Sequence, residues 1–91
     1  MEKSTIHLTP FFIEVDGVPV TVLEILKTQL VSGETHYHVA VRFNYKGVTS
    51  RTVSLHVKDV KELVNKLKIE VTKIKLVEYA YGTEEVRRQI S

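Results

Sequence analysis

The sequence predicts an α+β fold in a single domain spanning residues 1–91. The expected architecture is an antiparallel β-meander of three to four strands, with a long C-terminal helix packed on one face. Three observations carry this. Apolar and polar residues alternate at a period of two up to about residue 57. Glycine-containing turn signals interrupt that alternation. From Asp59 onward the apolar spacing changes to threes and fours.

The first hairpin is centred on Asp16-Gly17, between Phe11-Phe12-Ile13-Glu14-Val15 and Val18-Pro19-Val20-Thr21-Val22. A two-residue loop pairs Val15 with Val18, Ile13 with Val20 and Phe11 with Val22. This puts all six on one face, and Asp-Gly suits the type I′ turn such a loop needs. Pro10 lacks an amide proton, so pairing is expected to begin after it. Residues 20–32 admit two readings. Thr21 and Glu24 have the spacing of a capping box, with Val22, Ile25, Leu26 and Leu30 on one helical face. The frequency of Val, Ile and Thr favours a long bent strand running to the turn at Ser32-Gly33-Glu34.

The next hairpin joins Thr35–Tyr45 to Val48–Val57. Its apolar sets are Tyr37, Val39, Val41 and Phe43 on one strand and Val53, Leu55 and Val57 on the other. A two-residue Lys46-Gly47 loop would turn Val53 and Leu55 to the wrong side. A three-residue Tyr45-Lys46-Gly47 loop pairs Val39 with Val53 and Tyr37 with Leu55, and is therefore expected. It sets Arg42 beside Ser50, Ala40 beside Thr52, His38 beside Ser54 and His36 beside His56, with Arg51 on the apolar side.

Asp59, three residues before Glu62, fits a helix N-cap. Val60, Leu63, Val64, Leu67, Val71, Ile74, Val77 and Tyr81 continue at helical spacing to a stop at Gly82. The β-branched stretch Ile69–Ile74 makes a strand over 69–79 the competing reading. Its alternation breaks phase near Thr72–Lys73, which favours one long helix. Thr83–Ile90 is expected to add a short terminal helix or to fray.

Function is less legible. No cysteine is present, which excludes disulfides and thiolate chemistry. The start Met1-Glu2-Lys3-Ser4 has no apolar stretch and no run is long enough to span a bilayer, so a cytoplasmic protein without membrane contact is expected. Scarce Asn and Gln beside abundant Lys and Glu suit a heat-adapted source. There is no P-loop, dinucleotide fingerprint or His-Glu-x-x-His, and the histidine-bearing strands offer no acid to orient a base. The expectation is no enzyme, no catalytic residue, no cofactor and no small-molecule substrate. His36, His38 and His56 share one face and would suffice for a zinc ion with a water in the fourth position. No acid stands by to orient them, so no metal is assigned.

The strongest functional signal is the window Thr35–Lys58, which lacks Asp and Glu entirely. Its four cations, Arg42, Lys46, Arg51 and Lys58, sit in a chain whose net charge is only +2. With Asn44, Ser50 and Thr52 they form a candidate DNA- or RNA-binding set, able to neutralise phosphate and bond sugar or base edges. The alternative is a homo-oligomeric assembly module, most simply a dimer. The aromatic residues Phe11, Phe12, Tyr37, Phe43, Tyr45, Tyr79 and Tyr81 exceed what a one-helix core readily hides, and meander sheets leave pairing edges.

Overall fold

The computed structural model describes residues 2–6, as backbone only, and residues 10–91. It contains β1 (Glu2–Ile6), β2 (Phe11–Val15), β3 (Val18–Gln29), β4 (Thr35–Tyr45), β5 (Val48–Thr49), β6 (Val53–Val57), α1 (Val60–Tyr81) and α2 (Thr83–Ile90). The α+β meander with a long C-terminal helix is what the sequence predicts. All strand pairs are antiparallel and form four lanes. β1 and β2 both pair with β3, on its far and near halves respectively. β4 lies beside β3, and β5 and β6 share the fourth lane against β4. β2 pairs from Phe11 onward, just after Pro10 and in the expected register, and β1 is a further strand ahead of it.

Residues 18–29 form one long strand. Its helical look has a physical source. The β3–β4 register shifts between Val22 and Glu24, leaving Leu23 as the extra residue of a bulge. Val20 and Val22 pair with Phe43 and Val41, whereas Ile25 pairs with Val39. The bulge thus moves the helix-side positions from even to odd numbers, so Val22 and Ile25 are three apart and imitate a helical stripe.

The second hairpin corrects the expected register. Tyr45 pairs with Val48 across a two-residue loop, and Lys46 and Gly47 both have positive φ, 48° and 81°. This is a type I′ turn, matching the one at Asp16 and Gly17. The chain then bulges through Ser50–Thr52, and β6 pairs Val41 with Val53, Val39 with Leu55 and Tyr37 with Val57. The apolar faces match as expected, but the means is a tight turn plus a bulge in place of a wider loop. Each β6 residue consequently sits two positions away from its expected partner. His38 faces His56 and Ala40 faces Ser54.

Both helices cover one side of the sheet. Val20, Val22, Val39, Val41, Phe43, Tyr45, Leu55 and Val57 pack there against Leu67, Val71 and Ile74 of α1 and Val86 of α2. The 4-then-3 spacing of the buried α1 residues explains why the β-branched run 69–74 is helical. Burying Val71 and Ile74 on a common stripe outweighs their modest cost in helix propensity. The Asp59 side chain accepts the Glu62 amide at 2.8 Å, and Gly82 ends α1 at φ 93°.

A polar network ties the far end of α1 to the hairpin tip. Glu78 accepts the Tyr45 hydroxyl at 2.6 Å and the Thr83 hydroxyl at 3.0 Å, and pairs with Lys46 at 2.7 Å. The ammonium bond from Lys46 and then the Tyr45 bond hold its carboxyl down to about 2. The unfolded chain protonates Glu78 near its ordinary value of 4.5. Its stabilising contribution is therefore complete above that pH and lost as pH falls from there towards 2. Thermal melts over that range should show Glu78→Gln with a lower midpoint at neutral pH and a shallower acid decline than the parent. Parallel curves for the two proteins would refute the assignment.

Candidate interaction face

Since α1 and α2 lie on one side, the other face of the sheet is open among the described residues, apart from Thr28, which is buried. Alternation along each strand decides which side chains it carries. Phe12 and Glu14 come from β2. Thr21, Glu24, Leu26 and Thr28 come from β3, His36, His38, Ala40, Arg42 and Asn44 from β4, and Ser54 and His56 from β6.

The sequence-predicted residues are only partly gathered here. Arg42 is exposed and its Nε donates to Thr52 Oγ1 at 3.2 Å. Asn44 shares this face, but its amide is engaged with Thr21 Oγ1 at 3.1 Å and the Pro19 carbonyl at 3.5 Å, while its Oδ1 accepts from Thr49. Lys46 projects at the tip, where Glu78 neutralises it and its ammonium stands 5.5 Å from the Tyr45 ring. Ser50 is buried, accepting the Phe43 amide at 2.8 Å and donating to the Arg51 carbonyl. Arg51 is exposed in the bulge, and its amide bonds the Ile90 carbonyl of α2. Lys58 lies beyond β6 beside an apolar hollow of about 380 Å³, lined by Ile25, Tyr37, Val57, Val60 and Leu63 among others.

Glu14 and Glu24 are the residues that reading along the chain missed. They stand outside the acid-free window, yet β2 and β3 bring them to the same face as Arg42. The signal was available in the predicted hairpins, since each lane adds its own alternate residues to a shared surface.

The histidines form the most structured part of the face. His36 Nδ1 and His56 Nε2 are hydrogen-bonded at 2.7 Å, and the His38 and His56 rings stack at 4.5 Å and 8°. The turn before β4 brings the Glu34 carboxylate to 3.7 Å from His36 Nε2, which corrects the expectation that no acid stands beside the histidines. Together with Leu26, Leu30 and Ser54 they border an open hollow of about 550 Å³. Partial burial, followed by the neighbouring His38 and His36, lowers the His56 pKa. Two parallel stacked rings cannot aim their in-plane lone pairs at one point. Among the described residues no three His, Asp or Glu side chains are arranged to hold a metal ion.

The fold and face together define a two-layer α+β protein with an open, mixed-polarity sheet. The chain matches no protein-family model, no curated protein and no solved structure.

Proposed function

We propose that the protein is a non-enzymatic assembly module that pairs with a second copy of itself through the open sheet face. The observation that carries this reading is the division of charge across that face. Glu14 and Glu24 lie on its β2–β3 half, whereas the guanidinium of Arg42 lies on its β4–β6 half, well along β4 from Glu34, which stands 3.7 Å from His36. A two-fold axis lying in the interface and parallel to the strands lays the β2–β3 half of each copy on the β4–β6 half of the other, the self-complementarity an isologous dimer requires. Area supports the same reading. Four lanes of strands up to the 12 residues of β3 offer roughly 750 Å², close to the about 800 Å² per partner of a standard interface. Phe12, Leu26 and Ala40 give it apolar content without a long hydrophobic patch.

Sedimentation equilibrium tests this directly. The expected result is a species of twice the 10.4 kDa chain mass at about 10 μM protein, a concentration ordinary interfaces of this size tolerate. Arg42→Glu should give monomer, and adding Glu24→Arg should restore the dimer. A parent protein that stays monomeric, or a dimer indifferent to Arg42→Glu, would overturn the reading.

A second reading, DNA or RNA binding through the same hairpin, draws on one cross-strand row. Phe12 (73% exposed), Thr21, Arg42 and Thr52 form a line of a ring, a guanidinium and two hydroxyls, suited to stacking on a base and bonding phosphate. Asn44 and Lys46 lie next to it, whereas Ser50, Arg51 and Lys58 are set apart. Anisotropy titrations with single- and double-stranded DNA and RNA at two salt concentrations distinguish the readings. Salt-steep binding by a monomer, abolished by Arg42→Glu, would favour nucleic acid.

A further inference from the structure

The outward face of α1 carries a second apolar stripe, separate from the one that builds the core. Asn65, Ile69, Thr72, Leu76 and Tyr79 follow one another at spacings of four, three, four and three. All five are exposed, with Ile69 at 54%, Leu76 at 60% and Tyr79 at 92%. This is the seam spacing by which one helix packs along another. It lies across the helix from Leu67, Val71 and Ile74, which face the sheet.

Lysines border the seam on both sides. Lys61, Lys68 and Lys75 recur every seven residues along one edge, and Lys66 and Lys73 run along the other. The second edge is partly compensated, since Lys66 pairs with Glu62 at 3.5 Å and Lys73 with Glu70 at 3.4 Å. On the first edge Lys75 donates to the Asp16 carbonyl. Lys61 and Lys68 have no ion pair among the described residues.

From this we infer that the outer face of α1 docks an amphipathic helix of another protein, one bearing acidic residues beside its apolar seam. The flanking positions of a helix pair decide partner choice by charge. Self-pairing is disfavoured in either orientation. A parallel pair sets the Lys61 edge against the Lys66 edge, and an antiparallel pair sets each edge against itself, so lysine meets lysine in both. The occupant is thus a different chain of opposite charge. The apolar stripe is narrow, interrupted by Asn65 and Thr72, which suits a helix seam and not the broad apolar face that enters a lipid surface. The inference concerns the helix side of the molecule and does not depend on pairing through the open sheet face.

The test uses three synthetic probes and the full chain. One is a three-heptad peptide with Leu at its seam positions and Glu at the flanking ones. The second has Lys in place of Glu, and the third has the Glu composition scrambled with a central Pro so that no helix forms. Fluorescence anisotropy should show the Glu peptide binding at least about tenfold tighter than either control. The affinity should fall severalfold between about 50 and 300 mM NaCl as exposed charges are screened. Ile69→Ser with Leu76→Ser should remove binding, and Lys61→Glu with Lys68→Glu should transfer preference to the Lys peptide. Unchanged melting temperatures would establish that these surface variants keep the fold. Equal binding of the helical and scrambled acidic peptides would overturn the proposal, reducing it to general attraction for polyanions. Tighter binding to vesicles of anionic phospholipid, or to single-stranded DNA, than to the Glu peptide would overturn it as well.

Discussion

Replacing Leu67 by alanine should destabilise the protein by about 2–5 kcal/mol, the range for emptying a well-packed core site. Leu67 is 2% exposed and shares the sheet-facing stripe of α1 with the buried Val71 and Ile74. Truncation there removes apolar contacts and leaves a cavity beneath a helix whose own propensity is modest. Ile69→Ala, two residues on, should cost about 1 kcal/mol or less, because that side chain is 54% exposed and leaves no enclosed cavity. Urea unfolding monitored by far-ultraviolet dichroism compares the two on one scale. Similar costs at both positions would mean that the two faces of α1 have been assigned wrongly, and would remove the outer seam as a free surface.

The comparison also shows how far the sequence could be read. Element types and the buried faces of β2, β4, β6 and α1 were legible, because burying one face imposes a period of two or 3.6 on any sequence. The phase of pairing was not. Leu23 and the segment Ser50–Thr52 each insert a local irregularity that costs little and leaves no compositional mark. At Leu23 this made a strand resemble a helix, and at Ser50 it replaced a three-residue loop with a type I′ turn and a bulge. The candidate face suffered from a related blindness. A charge count runs along the chain, whereas a surface is assembled across it. Glu78 from α1 thus neutralises Lys46 and Glu24 from β3 joins Arg42. The outer seam of α1 was hidden differently, by an inner stripe of the same 3–4 spacing and greater hydrophobicity.

Ser50→Ala should cost about 1–3 kcal/mol, the price of leaving a buried amide without a partner. Ser50 donates its backbone N–H to the Phe43 carbonyl at 2.8 Å, as an ordinary ladder residue would. The return bond is different. The Phe43 N–H goes to Ser50 Oγ at 2.8 Å, so a hydroxyl occupies the place where a ladder would put a carbonyl. The same hydroxyl donates to the Arg51 carbonyl at 2.8 Å. Ser50 therefore closes the two-residue-turn register and opens the bulge that returns Val53, Leu55 and Val57 to the core side. With alanine there, the Phe43 amide is stranded next to a side chain that is 2% exposed. The chain loses its local reason to bulge, and a β6 that kept the turn's register would point Ser54 and His56 at the helices. Ser50→Thr retains the hydroxyl and should recover most of the loss. Hydrogen exchange at Phe43 reads the effect at its source, with protection reduced in the alanine variant and preserved in the threonine one. If alanine leaves both the unfolding midpoint and that protection unchanged, the bulge is held by core packing alone, and the open face with its Arg42–Thr52 contact does not depend on Ser50.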